Sequence, residues 1–187
     1  EFRRVLFRSF FIVNFIITNR QATHPIVHFH TLFSKKPFVG ATMAISSHLT
    51  LLTGIAGINV YIVRILKLPF DISLHFYFFF FVGVIITGIL KMFFYSSVGA
   101  GFLGTLGSSA LLYVSIHWII LGNTINIPLL YIQGLLLGFG ASMTLVSGSM
   151  ATLLDGDLKE AAQRSQTMHT IRNFSAAMLI PIMAYTI

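Results

Sequence analysis

Long apolar runs separated by short polar connections constrain the fold of this chain more than any other feature. A helix needs about 20 apolar residues to cross the hydrocarbon core of a bilayer. Four runs meet that length, at residues 38–63, 74–95, 98–120 and 127–154. Shorter apolar pieces at 10–18 and 170–187 predict the end of one further span and the start of another. Because lipid leaves unpaired backbone groups unsatisfied, we expect helices and an all-α, polytopic membrane bundle.

The composition agrees with a membrane protein. Hydrophobic residues make up 56% of the 187 residues and charged residues 9%, whereas a soluble domain carries about a quarter charged residues. The net charge of +7 lies in short patches between the apolar runs, so its expected partner is the anionic surface of a lipid bilayer and not nucleic acid. Cysteine is absent, which excludes disulfides and thiolate metal sites.

Lysine and arginine predict the orientation. The first, third and fifth connections hold seven of these residues, against two in the second and none in the fourth. The seven are Arg20, Lys35, Lys36, Lys91, Lys159, Arg164 and Arg172, and the two are Arg64 and Lys67. Positive residues favour the cytoplasmic side, which places the three odd connections there.

Both ends of the sequence look cut. Residues 1–9 resemble a translated sequencing adaptor, with a basic juxtamembrane arm as the alternative. There is no initiator methionine, and the chain stops within an apolar run. We therefore expect an artefact at 1–9, the end of a span and a cytoplasmic loop at 10–37, and a truncated transmembrane bundle at 38–187.

Small residues recur every four positions in two of the runs, which predicts close helix packing. Run 127–154 has the rows Gly134, Gly138, Ser142 and Gly140, Thr144, Gly148, Thr152. Run 98–120 has the rows Ala100, Gly104, Ser108 and Gly101, Thr105, Ser109. The aromatic residues 76–81 are interpreted as a belt facing lipid, in preference to a ring lining a substrate path.

Three patterns bear on enzymatic chemistry. Gly99-Ala-Gly101-Phe-Leu-Gly104 has the spacing of a dinucleotide-binding loop but lacks the preceding strand and the later acid, so no cofactor is expected. His24, His28 and His30 resemble one histidine box of a membrane di-iron enzyme, but no second box follows and no metal is expected. All five acids lie outside the apolar runs. The sequence therefore predicts no enzyme and no catalytic residue.

A few mild polar residues lie inside the runs and are the candidates for substrate binding. His48 and Asn59 are eleven residues apart, which returns to nearly the same helix face, and Gln133 lies about a turn inside the outer surface. Each either makes one interhelical hydrogen bond or lines a central cavity that contacts a mostly apolar substrate. We name His48, Asn59 and Gln133 as predicted substrate-binding residues.

Several stretches resemble the major facilitator superfamily of transporters, and in particular its fourteen-span drug:proton antiporters. Pro25-Ile-Val-His-Phe-His-Thr-Leu-Phe33, followed by Lys35-Lys-Pro-Phe38, is similar to the start of the second helix bundle. Gly134-Leu-Leu-Leu-Gly-Phe-Gly140 is similar to the glycine-rich tenth core helix. Residues 161–177 are similar to the loop and helix that follow, although Asn173-Phe-Ser departs from the family pattern.

The resemblance implies the C-terminal half of a major facilitator fold in a bacterial inner membrane, with 10–37 containing the loop between bundles. It implies proton-driven efflux of hydrophobic small molecules, with the missing N-terminal bundle as partner and source of the coupling carboxylate. Asp155, Lys159, Arg164 and Arg172 are then interpreted as orientation and inter-bundle contacts. The alternatives are a histidine-ligated, lipid-modifying membrane enzyme and a membrane assembly subunit that does not transport.

Overall fold

The computed structural model describes residues 2–22, 25, 27–120, 126–154 and 158–186, and these residues form helices and connections without strands. The α-helices are α1 (Phe2–Gln21), α2 (Lys35–Val60), α3 (Phe70–Ile120), α4 (Ile127–Leu154) and α5 (Ala161–Thr186). Shorter helical turns are Phe29–Leu32, Tyr61–Ile65 and Leu158–Glu160. The predicted all-α class is confirmed.

Three helical segments are long and apolar enough to cross a membrane, namely Lys35–Ile65, Phe70–Ile120 and Ile127–Leu154. They cover the four predicted runs, which indicates a membrane protein. The run at 127–154 coincides with α4. The difference lies at α5, which begins at Ala161 although the sequence predicted a connection up to residue 169.

Helix α3 contains a reversal of chain direction at Gly99. A straight helix of 51 residues would be about 76 Å long, more than twice the thickness of the hydrocarbon core. Gly99 has φ 80° and ψ 166°, a backbone conformation that is available essentially to glycine alone. We call residues 70–98 the first arm of α3 and residues 100–120 the second arm.

Contacts with α4 show that the two arms are antiparallel. Along the first arm, Phe76 lies at Gly134 and Lys91 donates a hydrogen bond to the Met143 carbonyl (2.9 Å). Along the second arm the order is opposite, since Gly107 lies at Thr144 and Trp118 bonds to Gln133. The predicted second and third spans are therefore a helical hairpin, and its turn is Gly99.

Helix α4 lies at the centre of the bundle, against α2, both arms of α3 and α5. Its glycines permit this close packing. A methyl group at Gly148 would lie 2.6 Å from the Gly40 carbonyl oxygen in α2, and one at Gly140 would lie 2.8 Å from the Gly107 carbonyl oxygen in α3. Gly134 and Gly138 contact the backbone of the first arm at Phe76 and Phe80. The close packing predicted for both glycine rows of α4 is confirmed.

The rows predicted in the second arm pack only in part. Gly104 meets Met43, but Gly101 has open space around it, and Thr105 and Ser109 are exposed. Gly107, which belongs to neither predicted row, approaches the backbone of α4 at Thr144. A run of small residues on every side of a helix does not reveal which side faces a neighbour.

The aromatic residues 76–81 are not a uniform lipid-facing belt. Phe76 and Phe80 are 0% and 8% exposed because they pack on Gly134 and Gly138, whereas Phe78 and Phe81 are more than 60% exposed. Residues 76 and 80 are one helical turn apart and share the inner face. The lipid-facing interpretation is therefore wrong for Phe76 and Phe80.

The connection before α2 packs against α5. The side-chain amide of Asn19 pairs with the backbone N–H and carbonyl of Val27 (3.0 and 2.8 Å). The N–H of His28 then donates to the Thr167 hydroxyl in α5 (3.0 Å). The same elements also share a buried apolar cluster, formed by Leu32, Ala41, Ala44 and Met168. These contacts hold α5 antiparallel to α4 and beside the start of α2.

Arg164 differs from its predicted role as an inter-bundle contact. It is 1% exposed, and its guanidinium donates to the carbonyls of Thr152 (3.0 Å) and Leu153 (2.9 Å) at the end of α4. The last carbonyls of a helix lack intrahelical partners, and a cation there also complements the helix dipole. Arg164 therefore caps α4 from within the bundle. Asp155, which was given the same predicted role, lies outside the described residues.

Candidate functional site

A cavity of about 220 Å³ lies between α2 and the second arm of α3, with α4 behind it. Six of its eight lining residues carry hydroxyl groups. They are Ser46, Ser47 and Thr50 of α2, Ser108 and Ser115 of α3, and Thr144 of α4, and the other two are Leu111 and Leu112. Charged side chains are absent from this lining. The walls are therefore polar but uncharged.

Helical spacing produces the polar wall. In α2 the hydroxyl residues Thr42, Ser46, Thr50 and Thr53 are separated by four, four and three positions, which places them on one face. Ser108 and Ser115 are separated by two turns of the second arm. Because α2 and this arm both pack on α4, the two hydroxyl faces come together.

The hydroxyl protons of this wall are largely engaged. Ser46, Thr50, Ser108 and Thr144 donate to carbonyls three or four positions earlier in their own helices, at 2.8 to 3.1 Å. Ser47 donates to the Ala141 carbonyl of α4 (3.0 Å). A hydroxyl has one proton and two acceptor lone pairs. The wall therefore presents mainly acceptor oxygens to a molecule in the cavity.

The predicted residue His48 lies on α2 and faces α5. It is half-buried, and its ring interacts electrostatically with the guanidinium of Arg172 in α5. Among the described residues, the buried Nε of Arg172 has no hydrogen-bond partner. His169, on the same helix, has a pKa below its ordinary value because of partial burial and the nearby Arg172 guanidinium. His48 thus lies beside α5, while the cavity lies between α2 and the second arm of α3.

The predicted residue Asn59 joins α2 to the first arm of α3. Its side-chain oxygen accepts a hydrogen bond from the Tyr77 hydroxyl (2.7 Å). This is the interhelical bond that the sequence offered as the alternative to substrate contact. Eleven residues separate Asn59 from His48, about 16 Å along the helix.

The predicted residue Gln133 is at the centre of a network between α4 and the second arm of α3. It is 1% exposed. Its side-chain oxygen accepts from Trp118 Nε1 (2.7 Å), and its amide nitrogen lies 2.8 Å from His117 Nδ1. Trp118 also lies 3.5 Å from the position that a Cβ of Gly54 would take, so the network reaches α2.

The structure therefore directs the three predicted residues at three different neighbours and brings none of them into the hydroxyl-lined cavity. The substrate-binding role of His48, Asn59 and Gln133 stays a prediction. Sequence reasoning missed Ser46, Thr50 and Ser115. The four-residue spacing of hydroxyls in α2 is a signal that could have identified this face.

The histidines near α2 bear on the enzyme alternative. The rings of His28 and His30 lie 6.0 Å apart, and His24 is outside the described residues. Within the described part of the chain no group of three or more histidine, cysteine or acidic side chains could hold a metal ion. Iron or zinc analysis of the purified protein tests that alternative directly.

Two glycines of the dinucleotide-like motif serve the packing and the turn of α3. Gly99 is the turn of the α3 hairpin and Gly104 packs on Met43.

Comparison of the chain with protein-family models, with curated proteins and with solved structures found no match.

Proposed function

We propose that this chain is a helix bundle of a secondary active membrane transporter and that its hydroxyl-lined cavity is part of the substrate site. The observation that carries the proposal is the cavity itself, six hydroxyl residues on membrane-length helices. Polar groups at membrane depth occur mainly where they are buried in protein or line a water-filled space.

The location of the cavity supports this proposal. Its residues lie opposite 140–144 of α4, in the middle of a helix that runs from 127 to 154. Transporter sites are typically found near the bilayer midplane, between packed helices. Movements of the helices could therefore expose such a cavity to one side of the membrane and then to the other.

The chemistry of the wall favours a particular class of substrate. Five hydroxyls engage their protons with backbone carbonyls and offer lone pairs, while Leu111 and Leu112 offer apolar surface. A small molecule with an apolar body and a hydrogen-bond donor, such as an amine, complements both. This agrees with the efflux of hydrophobic compounds implied by the resemblance, with a polar head group added.

A second bundle of the same protein would complete the site. Ser46 and Ser108 of the cavity are exposed, as are Thr42, Thr53 and Thr105 on the same two helices. In a major facilitator fold, two bundles enclose the substrate between them, and the coupling carboxylate would come from the other bundle. We propose a bacterial inner membrane as the location, with the first, third and fifth connections in the cytoplasm.

Binding of a fluorescent amine tests the substrate site. We expect the protein in lipid nanodiscs to bind 1-naphthylmethylamine and to discriminate against 1-methylnaphthalene, which lacks the donor. Ser108→Phe fills the cavity and should weaken binding by about tenfold or more, since it removes both contact and space. Equilibrium dialysis measures both affinities.

The matched control is Ser109→Phe, one position along the same helix on an exposed side that does not line the cavity. It should leave the affinity within about twofold. Equal binding of the amine and the hydrocarbon, or equal losses in the two phenylalanine variants, would contradict the proposed site.

A further inference from the structure

The network of Trp118, Gln133 and His117 fixes the protonation state of a histidine inside the bundle. Trp118 Nε1 can only donate, so the atom 2.7 Å away must be the oxygen of the Gln133 amide. The amide nitrogen then faces His117 Nδ1 at 2.8 Å. Since that nitrogen also only donates, Nδ1 must be the acceptor. His117 is therefore neutral in this state, with its proton on Nε2.

Proton binding is incompatible with this network. A protonated imidazole donates from both nitrogens, so Nδ1–H would oppose the N–H of Gln133. Turning the amide by half a rotation gives His117 an acceptor but places an NH₂ group against the Trp118 N–H. Gln133 is 1% exposed, so water does not replace the lost partner. One of the two hydrogen bonds must break when His117 takes up a proton.

The neighbours of His117 in the described residues come from its own arm of α3 and from α4. On its own arm the Tyr113 ring lies 6.2 Å away between centroids. Gln133 faces it from α4, and Gly54 lies beyond Trp118 on α2. Arg64, Lys67, Asp71 and His75 lie near this end of the bundle, but all are exposed and none forms an ion pair with His117 in the described residues. Residues 121–125 carry no titratable side chain.

We propose that His117 is a proton-binding site of this bundle and that Gln133 and Trp118 act as its positioning residues. Protonation at Nδ1 opens the contact between the end of α3 and α4 and frees Trp118 from Gln133. Both helices contribute residues to the wall of the hydroxyl-lined cavity, so proton uptake would change the shape of that cavity. The proposal concerns the chain by itself and holds whether or not the protein transports a substrate.

The sole tryptophan makes the proposal measurable without a label. In nanodiscs of phosphatidylcholine, Trp118 emission should change reversibly on acidification from pH 8 to pH 4, because the indole loses its acceptor and gains a cationic neighbour. His117→Gln should abolish this transition, since its amide oxygen can accept from Gln133 but does not titrate. The matched control His75→Gln removes an exposed histidine and should keep the transition unchanged.

Gln133→Glu provides a test in the opposite direction. A carboxylate can accept from Trp118 and from Nδ1–H together, so it favours the protonated ring. The midpoint of the transition should move to higher pH by about one unit or more. Absence of a transition in the wild type, its persistence in His117→Gln, or an unchanged midpoint in Gln133→Glu would each overturn the proposal. Failure of amine binding in the cavity would leave this result untouched.

Discussion

Replacing Gly138 with alanine should destabilise the protein by about 2 kcal/mol, although alanine is the better helix former. The added methyl group would point at the backbone of Phe80, in the first arm of α3. Backbone atoms cannot rotate away as a side chain can, so α3 and α4 must separate. The separation would weaken dispersion contacts along the whole interface, which in lipid is a main source of helix association.

A titration with sodium dodecyl sulfate in mixed micelles, followed by Trp118 emission, measures this loss. Gly88→Ala is the matched control, because Gly88 is exposed on the same first arm and has open space around it. There the methyl group should stabilise the protein by up to about 1 kcal/mol. The same sign of change in both variants would show that α3 and α4 do not approach as closely as described.

Loss of Arg164 should be the second large effect. Arg164→Ala leaves the carbonyls of Thr152 and Leu153 without their charged donor at a buried helix end, which should cost about 3 kcal/mol. Arg164→Lys keeps the charge but cannot reach both carbonyls in the same way, so we expect an intermediate loss. The same detergent titration reports both variants.

Glu160 supplies the control for the charge of Arg164. Its carboxylate lies 3.6 Å from the guanidinium, and its side chain is 45% exposed. Glu160→Gln should therefore cost less than about 0.5 kcal/mol. If Glu160→Gln were as damaging as Arg164→Ala, the ion pair and not the carbonyl cap would be the source of stability.

The membrane-length helices could be predicted because their physical cause is local. Hydropathy along the chain sets where a helix can cross lipid, and α4 begins and ends where the apolar run does. The glycine rows of α4 were also predictable, because regular spacing on a long apolar helix indicates close packing. The hairpin at Gly99 lies one residue past the predicted start of the third span.

The site could be predicted only in part because its causes are not local. Gln133 was recognised as an isolated polar residue, but its partners Trp118 and His117 lie on another helix, fifteen and sixteen positions earlier. The cavity depends on which faces of α2 and α3 meet above α4, and spacing alone does not give that pairing. The prediction for the aromatic run was partly wrong for the same reason. Phe80 is buried and Phe81 is exposed because only Phe80 packs against α4, and the sequence does not show that difference.

The central claim is that the hydroxyl-lined cavity is an aqueous pocket within a membrane bundle, and the absence of cysteine allows a direct measurement. A single cysteine at Ser108 should react with a charged, water-soluble maleimide in intact liposomes. A cysteine at Ile89, which is 52% exposed on the first arm and lies between the contacts of Thr87 with Phe139 and of Lys91 with Met143, should be shielded by lipid and react far more slowly. Equal, slow labelling at both positions would contradict the account.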